Sequence, residues 1–183
     1  MDDLALARAL AAGEADAFRM LVERETPAVF RICYRLLGRV DEAEDATQEA
    51  FVLAYRSLGS YRGDGPPGAW LGRIATRECW RRAASRTRRE ARTTELDDVL
   101  TAVLPGAGSP LGSILDAEQA EVVRRAVADL GEPYRSVVAL RFFGERSLAE
   151  IASATGRPEG TVKAQLHRGL AKLRGLLAVE VAR

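Results

Sequence analysis

The apolar side chains of this sequence recur every three or four residues and nowhere alternate, which restricts the chain to helices. From Ala15 to Leu37 the residues Phe18, Leu21, Val22, Val29, Phe30, Cys33, Leu36 and Leu37 mark one helical stripe, ended by Gly38. Thr26-Pro27 inside that run either kinks the helix or restarts it, with Thr26 as cap and Pro27 at the first position. Ahead of it, DDLALARALAAG has acidic residues at its start and Gly13 as a stop. A third helix is predicted from Asp41 to about Leu58. After the turn GSYRGDGPP, a fourth is predicted from Pro67 to Arg89.

Periodicity then fails. TTELDDVLTAVLPGAGSPLGS mixes glycine, proline, serine and acids with no stripe, so residues 93–115 read as an acidic flexible linker. A second helical unit follows over 116–183. It holds one helix to Asp129, another after Glu132-Pro133 to Phe143, a short one from Ser147 and a last one from Pro158. The expected fold is all-α: two small helical domains, 1–92 and 116–183, joined by the linker.

Several function classes fall away on composition. No apolar run approaches the roughly 20 residues that span a bilayer, and the N-terminus opens acidic, without the basic region of a signal peptide. A cytoplasmic address and no membrane insertion are expected. Cys33 and Cys79 make no CxxC pattern and read as small buried hydrophobes, so no metal is implied. His167 is the only histidine and has no nearby partner. With no paired carboxylates, nucleophile–base pair or phosphate loop, no catalytic residue, cofactor or small-molecule substrate is expected.

The net charge of +1 conceals blocks. Residues 1–60 sum to −4, 61–92 to +6, 93–121 to −6 and 122–183 to +5. Neutralising phosphates takes clustered cations rather than net charge, so two basic blocks flanking an acidic one point to nucleic acid.

The sharpest local pattern is SLAEIASATGRPEGTVKAQLHRGLAKLRGLL, residues 147–177. Leu148, Ile151 and Ala152 give a short helix one apolar face, and Thr155-Gly156 breaks it where a left-handed residue is needed. Pro158 opens a second helix whose stripe is Val162, Leu166, Leu170 and Leu173. This is helix-turn-helix spacing, which presents the second helix to a major groove. Glu159, Lys163, Ala164, His167 and Arg168 then point outward, and Thr161 with the free N–H groups of the first turn can meet a phosphate. Arg146 and Arg157 add charge around the unit. A helical hairpin with no DNA role is the alternative.

On a wheel at about 100° per residue, the fourth helix puts Trp70, Leu71, Ile74, Ala75 and Cys79 on one side and Arg73, Thr76, Arg77 and Trp80 on the other. A tryptophan among arginines serves single-stranded nucleic acid, with cations for phosphates and a ring for an unstacked base. Equally, Trp80 can pack against the other domain or a partner protein. Arg81, Arg82, Arg86, Arg88 and Arg89 extend the basic surface.

VDEAEDATQEAF, residues 40–51, holds five carboxylates. Asp41 as N-cap with Glu44 three residues on resembles a capping box, and acids in a first turn suit the helix dipole. Asp45, Gln48 and Glu49 lie deeper and share a face at i, i+3 and i+4 spacing.

The stretch DEAEDATQEAFVLAYRSLGSYRGDGPPGAWLGRIA resembles region 2 of the extracytoplasmic-function sigma factors, the small alternative specificity subunits of bacterial RNA polymerase. LRFFGERSLAEIASATGRPEGTVKAQLHRGLAKLR looks like their region 4, in the family's order and spacing. The resemblance implies that the 41–56 helix, through Asp45, Gln48, Glu49, Val52 and Arg56, docks on core polymerase. It implies that the turn bearing Arg62 and Asp64, with Arg73, Thr76, Arg77, Trp80 and Arg81, recognises and opens the minus-10 element, holding the melted single strand. The 158–171 helix would read the double-stranded minus-35 element, the acidic linker would thread polymerase's basic interior, and an anti-sigma factor is a further implied partner. The chain departs from the family pattern at Gly65-Pro66-Pro67-Gly68-Ala69, at Arg77, where asparagine is frequent, and at Gln165, where arginine is common. The preferred promoter sequence is therefore open. Two other readings fit parts of the sequence: a sigma-like decoy that binds an anti-sigma factor, and a plain helix-turn-helix regulator.

Overall fold

Asp2 starts the first helix: its carboxylate accepts the Ala5 N–H at 2.7 Å and caps α1 (Asp3–Ala11). The computed structural model describes residues 2–93 and 110–181, and the regular structure among them is helical, with no strand. α2 (Ala15–Leu37) runs unbroken through Pro27. Thr26 caps no new helix; its hydroxyl donates to the Val22 carbonyl at 2.6 Å, within the same turn. Gly38 ends α2 at φ 79°, its N–H donating to Tyr34 O, a left-handed position that suits a residue without Cβ.

α3 (Val40–Arg56) begins one residue before the expected cap. Asp41 is already inside the first turn, and the box with Glu44 is not formed. The Arg39 fork takes the Asp41 carboxylate instead, at 2.9 and 3.3 Å, and that bond holds the carboxyl below its ordinary range. A single 3₁₀ turn over Leu58–Ser60 leads into the loop before α4 (Pro67–Thr93). The expected linker mostly falls on 94–109, outside the described residues. α5 (Pro110–Asp129) starts at Pro110 rather than near Asp116, since proline suits a first helical position and Leu111, Ile114 and Leu115 keep helical spacing. α6 (Tyr134–Phe142), α7 (Leu148–Thr155) and α8 (Glu159–Val181) complete the chain.

α2, α3 and α4 pack on one another. The buried face of α3 is small: Ala43, Ala46, Ala50 and Ala54 are inaccessible to solvent, which brings its backbone close to its neighbours. Leu21, Ile32, Leu71 and the free thiols of Cys33 and Cys79 fill the space between. Each large side chain buried there contributes about 1.5–3 kcal/mol.

This core continues into the second half of the chain. Val127 near the end of α5, Leu130 just after it, and Val138 and Ala139 of α6 belong to the same apolar cluster. Two glycines permit the approach. A Cβ at Gly72 would stand 3.4 Å from Ile32 Cδ1 and 3.6 Å from Leu140 Cδ2, and one at Gly144 would meet Leu140 O at 2.8 Å. Polar ties reinforce the junction: Arg146 to Glu25 at 3.2 Å, and Arg35 to Glu145 at 3.1 Å with further donation to Phe142 O and Phe143 O. A second, smaller core of Val137, Leu140, Ile151 and Val162 ties α6 to the helix-turn-helix.

Candidate nucleic-acid interface

Because the alanine face of α3 is turned inward, the opposite stripe must face solvent. Asp45, Gln48, Val52, Tyr55 and Arg56 are exposed, with Glu49 half-buried between them. The face is less negative than its sequence. Arg82 of α4 reaches back to Asp45, at 3.8 Å to the carboxylate and 3.3 Å to the carbonyl, and Arg86 meets Glu42 at 3.3 Å. Tyr55, absent from the sequence-derived set, is 65% exposed and meets Phe18 edge-on at 5.2 Å. Its i+3 relation to Val52 was the available signal.

The loop after the 3₁₀ turn is held by Tyr61, whose hydroxyl donates to Gly65 O and whose ring lies 4.9 Å from that of Trp70. Burial, then the nearby Asp3 and Asp64, push the Tyr61 phenol up to about 12. Gly63 sits at φ 73° over α1, the left-handed turn this loop needs. Arg62 and Asp64 are exposed at its tip. Between this loop, Trp70 and Arg73 on one side and the end of α7 on the other lies a cleft of 360 Å³.

The polar face of α4 divides. Arg77 and Arg81 are exposed. Arg73 is half-buried and donates to Ala154 O at 2.7 Å; burial, then the neighbouring Arg77 and Arg157, lower its pKa. Thr76 and Trp80, placed by the wheel on an outward face, are 1% and 7% exposed. Thr76 donates to Gly72 O in its own helix, and Arg135 of α6 lies 4.8 Å above the Trp80 ring. Of the two readings of Trp80, packing on the other domain is what this conformation shows. The wheel could not reveal it because the covering helices lie more than 50 residues downstream. Sequence reasoning also passed over Glu78, a buried acid in this basic helix. Its side chain is 1% exposed and takes Arg81 at 2.6 Å and Arg82 at 2.7 Å. Burial pushes its carboxyl up, but the two guanidiniums outweigh that and hold it below the ordinary glutamate range.

In the second unit, Ser147 caps α7 in a full capping box: Ser147 N donates to Glu150 at 2.8 Å and Glu150 N to Ser147 Oγ at 3.2 Å. Gly156 turns the chain at φ 65°. Ile151 and Val162, both fully buried, then clamp α7 to α8. As a result Glu159, Thr161, Lys163, Ala164, His167 and Arg168 all lie on the exposed side of α8. Gly169 permits the close crossing over α6, since a Cβ there would stand 3.1 Å from Val138 Cγ2. Two expected DNA contacts are otherwise engaged. Arg157 donates to Gln165 Oε1 at 3.3 Å. Arg146, with its side chain 17% exposed, turns inward to Glu25 and Glu150.

Among the described residues, no helix is long and apolar enough to cross a membrane, and no group of three or more His, Cys, Asp or Glu could hold a metal ion.

The Sigma-70 region 2 family matches residues 21–89, and the Sigma-70 region 4 family matches residues 120–173. The chain is 32% identical over 167 residues to the ECF RNA polymerase sigma factor SigW of Bacillus subtilis, covering 88% of this chain and 89% of that protein. It is 30% identical over 174 residues to the ECF RNA polymerase sigma-E factor of Escherichia coli K12, covering 92% and 90%. Among solved structures, CnrH in complex with the cytosolic domain of CnrY matches with a TM-score of 0.61 at 26% identity, over 97% of each chain. The sigma factor RpoE in complex with the anti-sigma factor NepR from Bartonella quintana shares the fold, with a TM-score of 0.55 at 23% identity over 88% of this chain and 97% of that one.

Proposed function

The chain belongs to the extracytoplasmic-function RNA polymerase sigma factors, and from that premise we propose a residue-level division of labour in promoter recognition. Asp45, Gln48, Glu49, Val52 and Arg56, joined by Tyr55, dock on core polymerase. The Arg62–Asp64 loop and Arg73, Thr76, Arg77, Trp80 and Arg81 recognise the minus-10 element and stabilise its melted strand. Extruding a base costs a few kcal/mol of unstacking, which ring and guanidinium contacts offset. Glu159, Thr161, Lys163, Ala164, His167 and Arg168, flanked by Arg157 and Arg146, read the minus-35 duplex, with cations fixing the register on phosphates and the outward helix face reading base edges. The residues between α4 and α5 link the two domains through polymerase. The protein acts by binding, with no covalent step of its own, in the cytoplasm. An anti-sigma factor is its expected antagonist, by analogy with the named complex of RpoE.

The observation that carries this reading is the second helix of the helix-turn-helix, which keeps Lys163, Ala164, His167 and Arg168 exposed along one side. Run-off transcription with core polymerase on a promoter library tests it. Specific initiation is expected, and the selected promoters define both boxes. Binding to core without initiation would replace the reading with the decoy. In holoenzyme, Trp80→Ala is expected to reduce permanganate reactivity of the minus-10 region with little loss of core binding; unchanged reactivity removes Trp80 from strand opening.

A further inference from the structure

Arg157 stands in the turn between the two helices of the helix-turn-helix, and it is held at both ends. Its backbone N–H donates to Ala152 O at 3.0 Å, which fixes the root of the side chain. Its Nη1 donates to Gln165 Oε1 at 3.3 Å, well inside α8, which fixes the head. Gln165 lies outside the sequence-derived contact set because its partner sits before α8 begins, beyond the reach of helical periodicity.

Thr161, Gln165 and Arg168 follow one another at i, i+4 and i+7 and share one edge of α8. Thr161 and Arg168 are exposed there, and Arg157 and Gln165 are half-buried. The bond therefore lays the Arg157 guanidinium along that edge. Arg73 of α4, a like charge within electrostatic reach, disfavours its turning back toward α4.

The nature of the partner matters as much as its position. Arg146 meets the carboxylates of Glu25 at 3.2 Å and Glu150 at 3.4 Å, which offset its charge. Gln165 offers a neutral amide oxygen, which orients a guanidinium and leaves its positive charge in place. A guanidinium carries several N–H donors in a rigid fork, so one bond to an amide leaves others for a phosphate. A helix-turn-helix seated in a major groove lays its first helix across the sugar–phosphate backbone. The connecting turn and the start of the second helix then stand beside phosphates.

We propose that Gln165 is a positioning residue for minus-35 binding: it holds the Arg157 guanidinium on the α8 edge shared with Thr161 and Arg168, aimed at a backbone phosphate of the duplex. This assignment rests on the minus-35 reading of α8. Gln165 acts through Arg157, by removing rotamer freedom that the long side chain otherwise loses on binding. A phosphate contact carries no base preference, so the pair sets affinity and register.

Holoenzyme reconstituted from core polymerase and the full-length chain tests this, with a fluorescein-labelled promoter duplex recovered by the run-off selection as probe. Anisotropy across a salt series gives the affinity and its salt slope. Arg157→Ala is expected to weaken binding and to shrink the slope by about 1, since a phosphate-neutralising charge is gone. Gln165→Leu is expected to weaken binding by roughly three- to ten-fold, the cost of immobilising one long side chain. Its slope and the chain's melting curve should not change, because the charge and the fold remain. In the Arg157→Ala background, Gln165→Leu should add nothing. Equal losses in both backgrounds overturn the assignment, because Gln165 then acts without Arg157; so does no loss in either, or a lowered melting curve. Lys163→Ala separates the assignment from the reading beneath it. A loss with Lys163→Ala beside none with Arg157→Ala overturns the positioning role alone, and no loss with either overturns the minus-35 reading of α8 as well.

Discussion

Glu78→Gln removes one negative charge from the interior of a basic helix while keeping the side chain's shape. The carboxylate is 1% exposed and accepts three short guanidinium bonds, at 2.6 and 2.7 Å from Arg81 and at 2.7 Å from Arg82. A hydrogen bond to a charged group contributes about 1.5–3 kcal/mol. The Arg81 end is 64% exposed, so its share falls toward the about 0–1 kcal/mol of a surface pair. The Arg82 end, 28% exposed, carries most of the effect, and the amide recovers part of one bond. The expected loss is about 2 kcal/mol, or roughly 4–8 °C in Tm for a chain of this size. The sign with pH follows from the depressed carboxyl. A group whose folded pKa lies below its unfolded value, about 4.3 for glutamate, contributes fully above that value and loses its contribution as pH falls through the folded pKa. Urea unfolding of both proteins followed by circular dichroism should therefore show the gap at pH 7 and its closure as pH drops below about 4. A gap under about 0.5 kcal/mol at pH 7, or one that persists at acid pH, refutes the assignment of the stabilisation to the ionised carboxylate.

Ile151→Ala empties the small core that clamps α7 to α8 and is expected to cost about 2–5 kcal/mol in urea unfolding, with loss of duplex binding at temperatures where the unit has melted. Lys163→Ala lies on the exposed side of α8, so stability should hold while affinity for minus-35 duplex falls and the salt slope of binding shrinks by about 1; an unchanged slope removes Lys163 from phosphate contact. Tyr55→Ala, at an exposed aromatic next to Val52, is expected to weaken binding to core polymerase by roughly ten-fold in a competition assay while leaving the melting curve in place.

The helices were legible because their signals are local. A stripe at 3.6-residue period, Gly38 and Gly156 as left-handed stops, and Ser147 with Glu150 as a capping box depend only on neighbours a turn away. The two misplacements at helix starts have equally local causes that sequence weighs poorly. Asp41 had two ways to satisfy its carboxylate, and the Arg39 fork won over the cap. At α5, Gly112 and Pro105 hid a helix that a proline at its first position favours.

Sequence by itself determined the all-α class, the order of the two helical units and the outward residues of α8, because the buried stripe of Val162 and its neighbours dictates which side of that helix must face solvent. Only the tertiary structure decided the fate of α4's second face. A wheel distinguishes the two sides of a helix but not what lies against them, and the covering groups, Arg135 and Ala154, are brought there by chain packing from far downstream. The same packing pairs Arg146 with a buried Glu25 and places Arg82 against the acidic helix. Burial and pairing are properties of the distance between elements, and that distance is set by the shared core of Ile32, Gly72 and Leu140, not by any local run of residues.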